Sequence, residues 1–299
     1  MNHLLSVVFI LHYPAMIPYG EFSGRRAQRL FFDVLRKTNR ALVDTSHDEN
    51  SPLVYSISSL IYTGDDTYWM RVATTEPRLV IALENICNLA LPRTFHQTGT
   101  NKQWTLLAVQ RDGHEWAGHA QLNHLIDHTW DNPPPPEILL DVHTPTSVRS
   151  LGLYRPHPDP VLLFRSLFDR WRHAGLSVPQ FTPDPALWDI YTQYHLSLLD
   201  AKRLALHMID HKKGESIPAF TGILHIKRHR HNAALWQTAR RNHDRYDTAL
   251  LEQAERIRAR HDDLARWVHL LAQLAFYSGV GIKTGWGMGM VRPLDSDTP

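Results

Sequence analysis

Residues 53–73 read LVYSISSLIYTGDDTYWMRVA. The β-branched and aromatic residues Val54, Tyr55, Ile57, Ile61 and Tyr62 predict a strand, Gly64-Asp65-Asp66 a turn, and Tyr68 to Ala73 a returning strand. Upstream, the apolar run Leu4 to Leu11 predicts a buried first strand, and Pro14, Pro18 and Gly20 a loop. A helical pattern then runs from Gly24 to about Val43, with Leu30, Phe31, Val34, Leu35, Ala41 and Leu42 on one face. Its other face is basic: Arg25, Arg26, Arg29, Arg36, Lys37 and Arg40. Downstream, Pro77 opens a second helix through Leu79, Leu83 and Ile86, and Trp104 to Val109 supplies another strand. A hairpin between two helices makes the order β-α-β-β-α-β. That is the split βαβ of ferredoxin-like and RNA-recognition modules, an α+β class.

Four prolines, Pro133 to Pro136, interrupt the chain near its middle, where neither a helix nor a central strand can continue. The strand-then-helix order repeats beyond them. Ile138 to Val142 predicts a strand ending at Thr144-Pro145-Thr146, and Asp159-Pro160 opens a helix carrying Leu162, Leu163, Leu167, Phe168 and Trp171. Strand signals recur weakly over Ile190 to Leu199 and clearly over Phe220 to Ile226. A polar helical pattern from Ala233 becomes strongly apolar from Leu264 to Phe276. The expected architecture is two tandem ferredoxin-like (RRM-like) domains, 1–134 and 137–299. The second carries a basic helical insertion at about 228–263 and a glycine-rich loop at 278–290.

Hydrophobic residues make up 43% of the 299 and charged residues 21%, with 15 Gly and 19 Pro, which fits a globular chain and excludes a disordered or fibrous one. Lys and Arg number 32 against 30 Asp and Glu, so the net charge is only +2 and partner choice rests on local charge. Twenty His add charge that acid surroundings or a polyanion recruit. The single cysteine, Cys87, excludes an internal disulfide and any zinc site built on two thiolates. With the Leu4–Leu11 run too short to span a bilayer and preceded by no Lys or Arg, the cytoplasm is the expected compartment, with no membrane partner.

Residues 276–293 read FYSGVGIKTGWGMGMVRP, with glycines at 279, 281, 285, 287 and 289. One glycine suffices to end a helix. Five predict a loop whose bare backbone amides approach an anion, with Lys283 and Arg292 as counter-charges. The lysine lacks the P-loop context, and the loop follows a helix instead of opening one, so neither nucleotide fingerprint is met. The segment from Leu274 to Arg292 resembles the C-terminal signature of the CRISPR-associated precursor-crRNA-processing endoribonucleases of the RAMP superfamily. Weaker likeness extends over Asp44 to His47, the strand ending Thr144-Pro145-Thr146, Asp159 to Trp171, and Phe220-Thr221-Gly222.

The resemblance implies a double ferredoxin-like protein that binds CRISPR repeat RNA and cuts it once, without metal or cofactor, leaving a 2′,3′-cyclic phosphate. His47, after the first helix and before the next strand, takes the family's catalytic position. Many relatives add a Tyr on that helix and a Lys shortly after the His, whereas here the helix has Phe31 and Phe32, and 48–53 has no Lys or Arg. Lys37 or Arg40 is then the candidate cation for the phosphorane, although both also read as a solvated helix face; Tyr55 is a candidate hydroxyl that also reads as a packing residue. Gly279, Gly281, Lys283, Gly285, Gly287, Gly289 and Arg292 are the candidate RNA-backbone contacts.

Between Lys227 and Arg266 ten Lys or Arg face six acids, and nine of the ten are Arg, so Arg240, Arg241 and Arg245 are further RNA-contact candidates, against a solvated helix laced with ion pairs. The incomplete catalytic set favours a second reading, a non-catalytic repeat-RNA-binding subunit of an effector complex. A third, metal-dependent hydrolysis, rests on His124/His128 with Asp127 and His207/His211 with Asp210, each histidine pair being spaced i, i+4. Other CRISPR effector or adaptation proteins, and a second copy of the chain, stand as further candidate partners.

Overall fold

The apolar run near the start forms strand β1 (His3–His12), in which Val7, Val8, Phe9 and Leu11 are fully buried. Both faces of β1 are covered, which is why its sequence lacks the polar-apolar alternation of a half-exposed strand. A computed structural model describes residues 3–14, 17, 22–45, 55–175, 178–212, 215–230, 233–241 and 248–294, without the side chains of 45, 211, 212, 233, 239–241 and 248. After β1 come α1 (Gly24–Thr38), α2 (Arg40–Thr45), β2 (Tyr55–Ile57), β3 (Ile61–Gly64), β4 (Thr67–Thr74), α3 (Pro77–Cys87), β5 (Arg93–His96), β6 (Gln103–Gln110), β7 (Gly118–Gln121) and α4 (Leu122–Asp131). The second half contains β8 (Glu137–Thr146), β9 (Val148–Ser150), β10 (Leu153–Arg155), α5 (Pro160–His173), α6 (Pro185–His195), β11 (Leu196–Lys212), β12 (Glu215–Arg228), α7 (Ala233–Arg241), α8 (Thr248–Ala259), α9 (His261–Ser278) and β13 (Val291–Leu294).

The first sheet runs β2-β4-β1-β6-β5, with β3 on β4 and β7 on β1. β1 is antiparallel to both central neighbours, Val7 facing Val72 and Ile10 facing Ala108. Helices α1 and α3 cover one face, and Leu30, Phe31, Val34, Leu79 and Leu83 join Phe9 and Met70 in one core. The second sheet runs β11-β12-β8-β13, again the ferredoxin-like order, and α5 and α9 cover it. Phe168, Trp171, Trp188 and Trp267 pack there with ring centroids 5.0–6.5 Å apart. The fold is thus the α+β tandem of ferredoxin-like units. We propose Pro133–Pro136 as the boundary between them: the carbonyls of Pro134, Pro135 and Pro136 all accept from Arg228, so the linker is tied to the end of β12.

The two units meet on a buried cation. Arg71 of β4 is fully buried, donates through Nε to Ser6 Oγ at 2.9 Å and through Nη2 to the carbonyl of Phe276 near the end of α9. Its guanidinium lies 4.8 Å from the Phe276 ring and 5.6 Å from that of Trp116. Burial lowers its pKa to about 9, so it stays charged at neutral pH.

Three elements differ from the sequence reading. The first helix stops at Thr38, because Asn39 leaves helical geometry (φ −152°) and its Oδ1 accepts from Leu42 N at 3.2 Å, starting a separate α2. Ile190 to Leu199 is not one strand. It is the end of α6 and the start of β11; Asp184 caps that helix by accepting from Leu187 N at 2.8 Å, and Pro185 fits its first turn. The polar helical pattern from Ala233 is three helices rather than one, with α7 and α8 filling the expected insertion between β12 and α9. No helix among the described residues is long and apolar enough to cross a membrane.

Candidate functional site

α9 and β13 both belong to the second unit, β13 pairing with β8 with Val291 facing Val142, and the loop that joins them passes over Gly24, Tyr55 and Ser59 of the first unit before it enters the sheet. The glycines make that crossing. A Cβ on Gly281 would collide with the Ser147 carbonyl, one on Gly289 with the Val280 carbonyl, and one on Gly24 of α1 with the Trp286 carbonyl. Gly281 and Gly289 also sit at φ +77° and +74°, where L side chains are strained. The amides expected to face an anion are instead bonded inside the protein. Gly279 N donates to Ala275 O at 2.8 Å, Gly281 N to Ser166 Oγ at 3.2 Å, Ile282 N to Ser147 O at 2.9 Å and Gly289 N to Pro145 O at 3.1 Å. Gly279, Gly281, Gly287 and Gly289 are buried, and within the loop only Ile282, Lys283 and Trp286 keep half-exposed side chains. The glycines therefore give close approach of chain to chain, not an open amide cradle.

What the crossing builds is a cleft of about 490 Å³ with one wall from each unit. Gln28 of α1 and Tyr55 of β2 form the first wall; Ser166, Arg170 and His173 of α5 form the second; Lys283 to Trp286 close one end. Gln28 Nε2 donates to the Tyr55 hydroxyl at 2.9 Å, and the Tyr55 ring packs against Phe31 and Phe32, centroids 6.1 and 6.0 Å away. Burial raises the Tyr55 pKa, so the phenol keeps its proton at neutral pH and can donate it to an anion.

Arg170 is nearly buried and holds the loop with two donors, Nη1 to Thr284 Oγ1 at 3.1 Å and Nη2 to Gly281 O at 2.8 Å. Desolvation lowers its pKa to about 10, which leaves it cationic at neutral pH. Lys283 adopts left-handed geometry (φ 56°), and its Nζ lies 4.1 Å above the Trp286 ring, with the Arg25 guanidinium 4.7 Å from the same ring. The mouth thus presents an indole with two cations at its ring, a surface that suits the phosphate and base of a single strand.

Of the sequence candidates, Tyr55, Lys283 and Gly285 line this cleft. Lys37 and Arg40 do not: both are exposed, nine and twelve residues after Gln28, so Lys37 lies about 13 Å further along the helix, and Arg40 pairs with Asp44 at 3.8 Å. Arg292 is also elsewhere, bound to Glu115 at 2.8 Å and Asp141 at 3.2 Å with its guanidinium over Trp116. His47 and Arg245 lie outside the described residues, as do the side chains of Arg240 and Arg241. The segment holding His47 runs into Tyr55, the cleft residue. Gln28, Arg170 and Trp286 were missed, since nothing local marks them; the Asp159–Trp171 likeness was the one signal over Arg170. The second histidine pair fails on geometry, because His207 and His211 stand on strand β11, where four residues span about 13 Å.

The family model of the CRISPR-associated endoribonuclease Cas6 matches residues 140–291, just over half of the chain. No curated protein sequence matches it. Among solved structures, Thermus thermophilus Cas6 aligns over 98% of this chain and 99% of its own, with 22% identity and a TM-score of 0.69. A Cas6 product complex aligns over 97% and 100% with 23% identity and a TM-score of 0.68, and a Cas6-related protein from Pyrococcus furiosus over 98% and 100% with 9% identity and a TM-score of 0.52. These likenesses establish the shared tandem fold.

Proposed function

The chain belongs to the Cas6 family of CRISPR-associated endoribonucleases, and from that premise we propose that it binds CRISPR repeat RNA and cuts the precursor at one phosphodiester bond. The reaction is metal-independent: the ribose 2′-OH attacks the adjacent phosphorus, the 5′ oxygen leaves, and a 2′,3′-cyclic phosphate remains. The observation that carries this reading is the two-walled cleft, in which a protonated phenol, a lysine and a nearly buried arginine converge. His47 moves the proton, Tyr55 donates a hydrogen bond to a non-bridging phosphate oxygen, and Lys283 supplies the counter-charge. Arg170 is a positioning residue, acting through its hold on Thr284 and Gly281. Trp286, beside Arg25 and Lys283, stacks an unpaired base.

Phe31 and Phe32 occupy the helix that carries a Tyr in many relatives, and the Tyr55 ring rests on both, so β2 delivers a phenol to that helix face. The loop glycines hold Lys283 and Trp286 in place. Arg240, Arg241 and Arg245 contact the RNA from the insertion; replacing all three by Ala lowers affinity and flattens its salt dependence. Single-turnover reaction with repeat RNA in EDTA tests the whole reading. One cut with a cyclic phosphate end is the expected product, and it is lost in His47→Ala. Tight binding with no cut, in the wild type, favours instead a non-catalytic RNA-holding subunit, for which the absence of Lys and Arg from 48–53 speaks.

A further inference from the structure

A second cavity, of about 470 Å³, lies in the C-terminal unit between the end of α6, α8 and the start of α9. His195, the last residue of α6, lines it while only 4% exposed, its ring stacked on Tyr191 at 4.9 Å. Its Nδ1 is 2.7 Å from the His229 carbonyl, an acceptor, so Nδ1 carries the proton and Nε2 is left a bare lone pair. Burial keeps the ring neutral, with a pKa lowered to about 4. That Nε2 has less than 1 Å² of accessible surface and no partner among the described residues, which costs folding energy, and a ligand N–H meets it once its neighbours in the cavity wall give way.

Arg230 and Arg258 also line the cavity, both exposed, and neither forms an ion pair among the described residues. Of the two carboxylates present, Asp263 is paired with Arg260 at 3.2 Å and Arg266 at 3.7 Å, while Asp262 is exposed and lies 3.5 Å from His261, whose pKa burial lowers. Trp236 adds a half-buried indole to the wall. A bare acceptor selects an N–H, two unpaired guanidiniums select an anion, and an indole face selects a flat ring. The volume suits a ligand of about nucleotide size.

We propose that this cavity is a nucleotide subsite, in which Arg230 and Arg258 hold a phosphate, Trp236 stacks the base and His195 Nε2 accepts from the amino group of that base. The same chemistry is offered by a free nucleoside monophosphate and by an unpaired nucleotide of bound RNA. Only the second source rests on the RNA-processing function proposed above.

Calorimetric titration of the full chain with 5′-AMP tests the first source. The expected result is a saturable one-to-one isotherm, with adenosine and 5′-UMP at least tenfold weaker, since one lacks the phosphate and the other the amino group. Arg230→Ala with Arg258→Ala, both on exposed positions and checked for native circular dichroism, weakens AMP at least tenfold. Repeat RNA carrying fluorescent 8-vinyladenosine, which keeps the 6-amino group, at each unpaired position in turn tests the second source. Fluorescence at one position is quenched on binding and recovers in Trp236→Leu and in the double arginine variant. AMP binding that ignores the arginine substitutions overturns the subsite, and so does silence in both arms. Cutting of RNA with both arms silent leaves the cleft reading intact, and AMP binding without RNA binding does the reverse.

Discussion

The phenol of Tyr55 is held by its ring on Phe31 and Phe32 and by its oxygen on Gln28, so deleting the oxygen alone separates chemistry from packing. Tyr55→Phe is expected to slow single-turnover cutting of repeat RNA tenfold or more, with RNA affinity within about twofold of wild type. An unchanged rate removes Tyr55 from the reaction. Lys283→Ala is expected to weaken RNA binding and to lower the salt slope of log affinity by about one, as loss of a single phosphate contact does. Both residues were legible as types: a strand Tyr, and a lone Lys among glycines. Gln28, Arg170 and Trp286 were not, because each becomes part of a site only when β13 docks on β8 and draws the loop across both units. Arg292 misled for the same reason. Its carboxylate partners, Glu115 and Asp141, are more than 150 residues away, and no local pattern announces them.

At the scale of elements, the loop is set by steric need. Gly281→Ala and Gly289→Ala place a Cβ against the Ser147 and Val280 carbonyls at positive φ, and each is expected to cost about 2–4 kcal/mol, read as a lower urea midpoint. Gly285→Ala meets only the Tyr55 ring, at 3.1 Å or more, with no positive φ, and is expected to cost less than either. Equal losses at 281 and 285 contradict that assignment. The strands β1, β4 and β6 and helix α3 were readable because apolar runs and Pro77 mark them locally. The α1–α2 break was not, since it hangs on one Asn side chain closing a turn inside an unbroken helical pattern. At α6 the Asp-Pro start signal that revealed α5 was present again at Asp184-Pro185, but the stretch from Ile190 read as strand until the burial of Tyr191 in the core that holds Trp188 and Phe164, with Ile190 and Tyr194 packed on it, decided otherwise.

For the whole molecule, burial makes it sensitive to acid. His114, His143, His195, His207, His261 and His269 all have lowered pKa values, with desolvation as the leading cause. A histidine whose folded pKa lies below its ordinary 6.5 binds more protons when unfolded, so its stability is complete above that value and is lost as pH falls. For His195, lowered to about 4, the loss approaches 3 kcal/mol by pH 4. Urea midpoints are therefore expected to drop steadily from pH 7 to pH 4.5, and His195→Phe to flatten part of that slope. The two-unit plan itself was open to reading from the repeated strand-helix order and the Pro133–Pro136 break, whereas the way the units face each other depends on Arg71 reaching the Phe276 carbonyl, a pairing across 205 residues. On that facing depends where the RNA lies. Photocrosslinking of repeat RNA substituted with 5-bromouridine around the cut bond, followed by peptide mapping, locates it directly: adducts at Tyr55 and Trp286 are expected, and adducts confined to surfaces away from the α1–α5 cleft contradict the site.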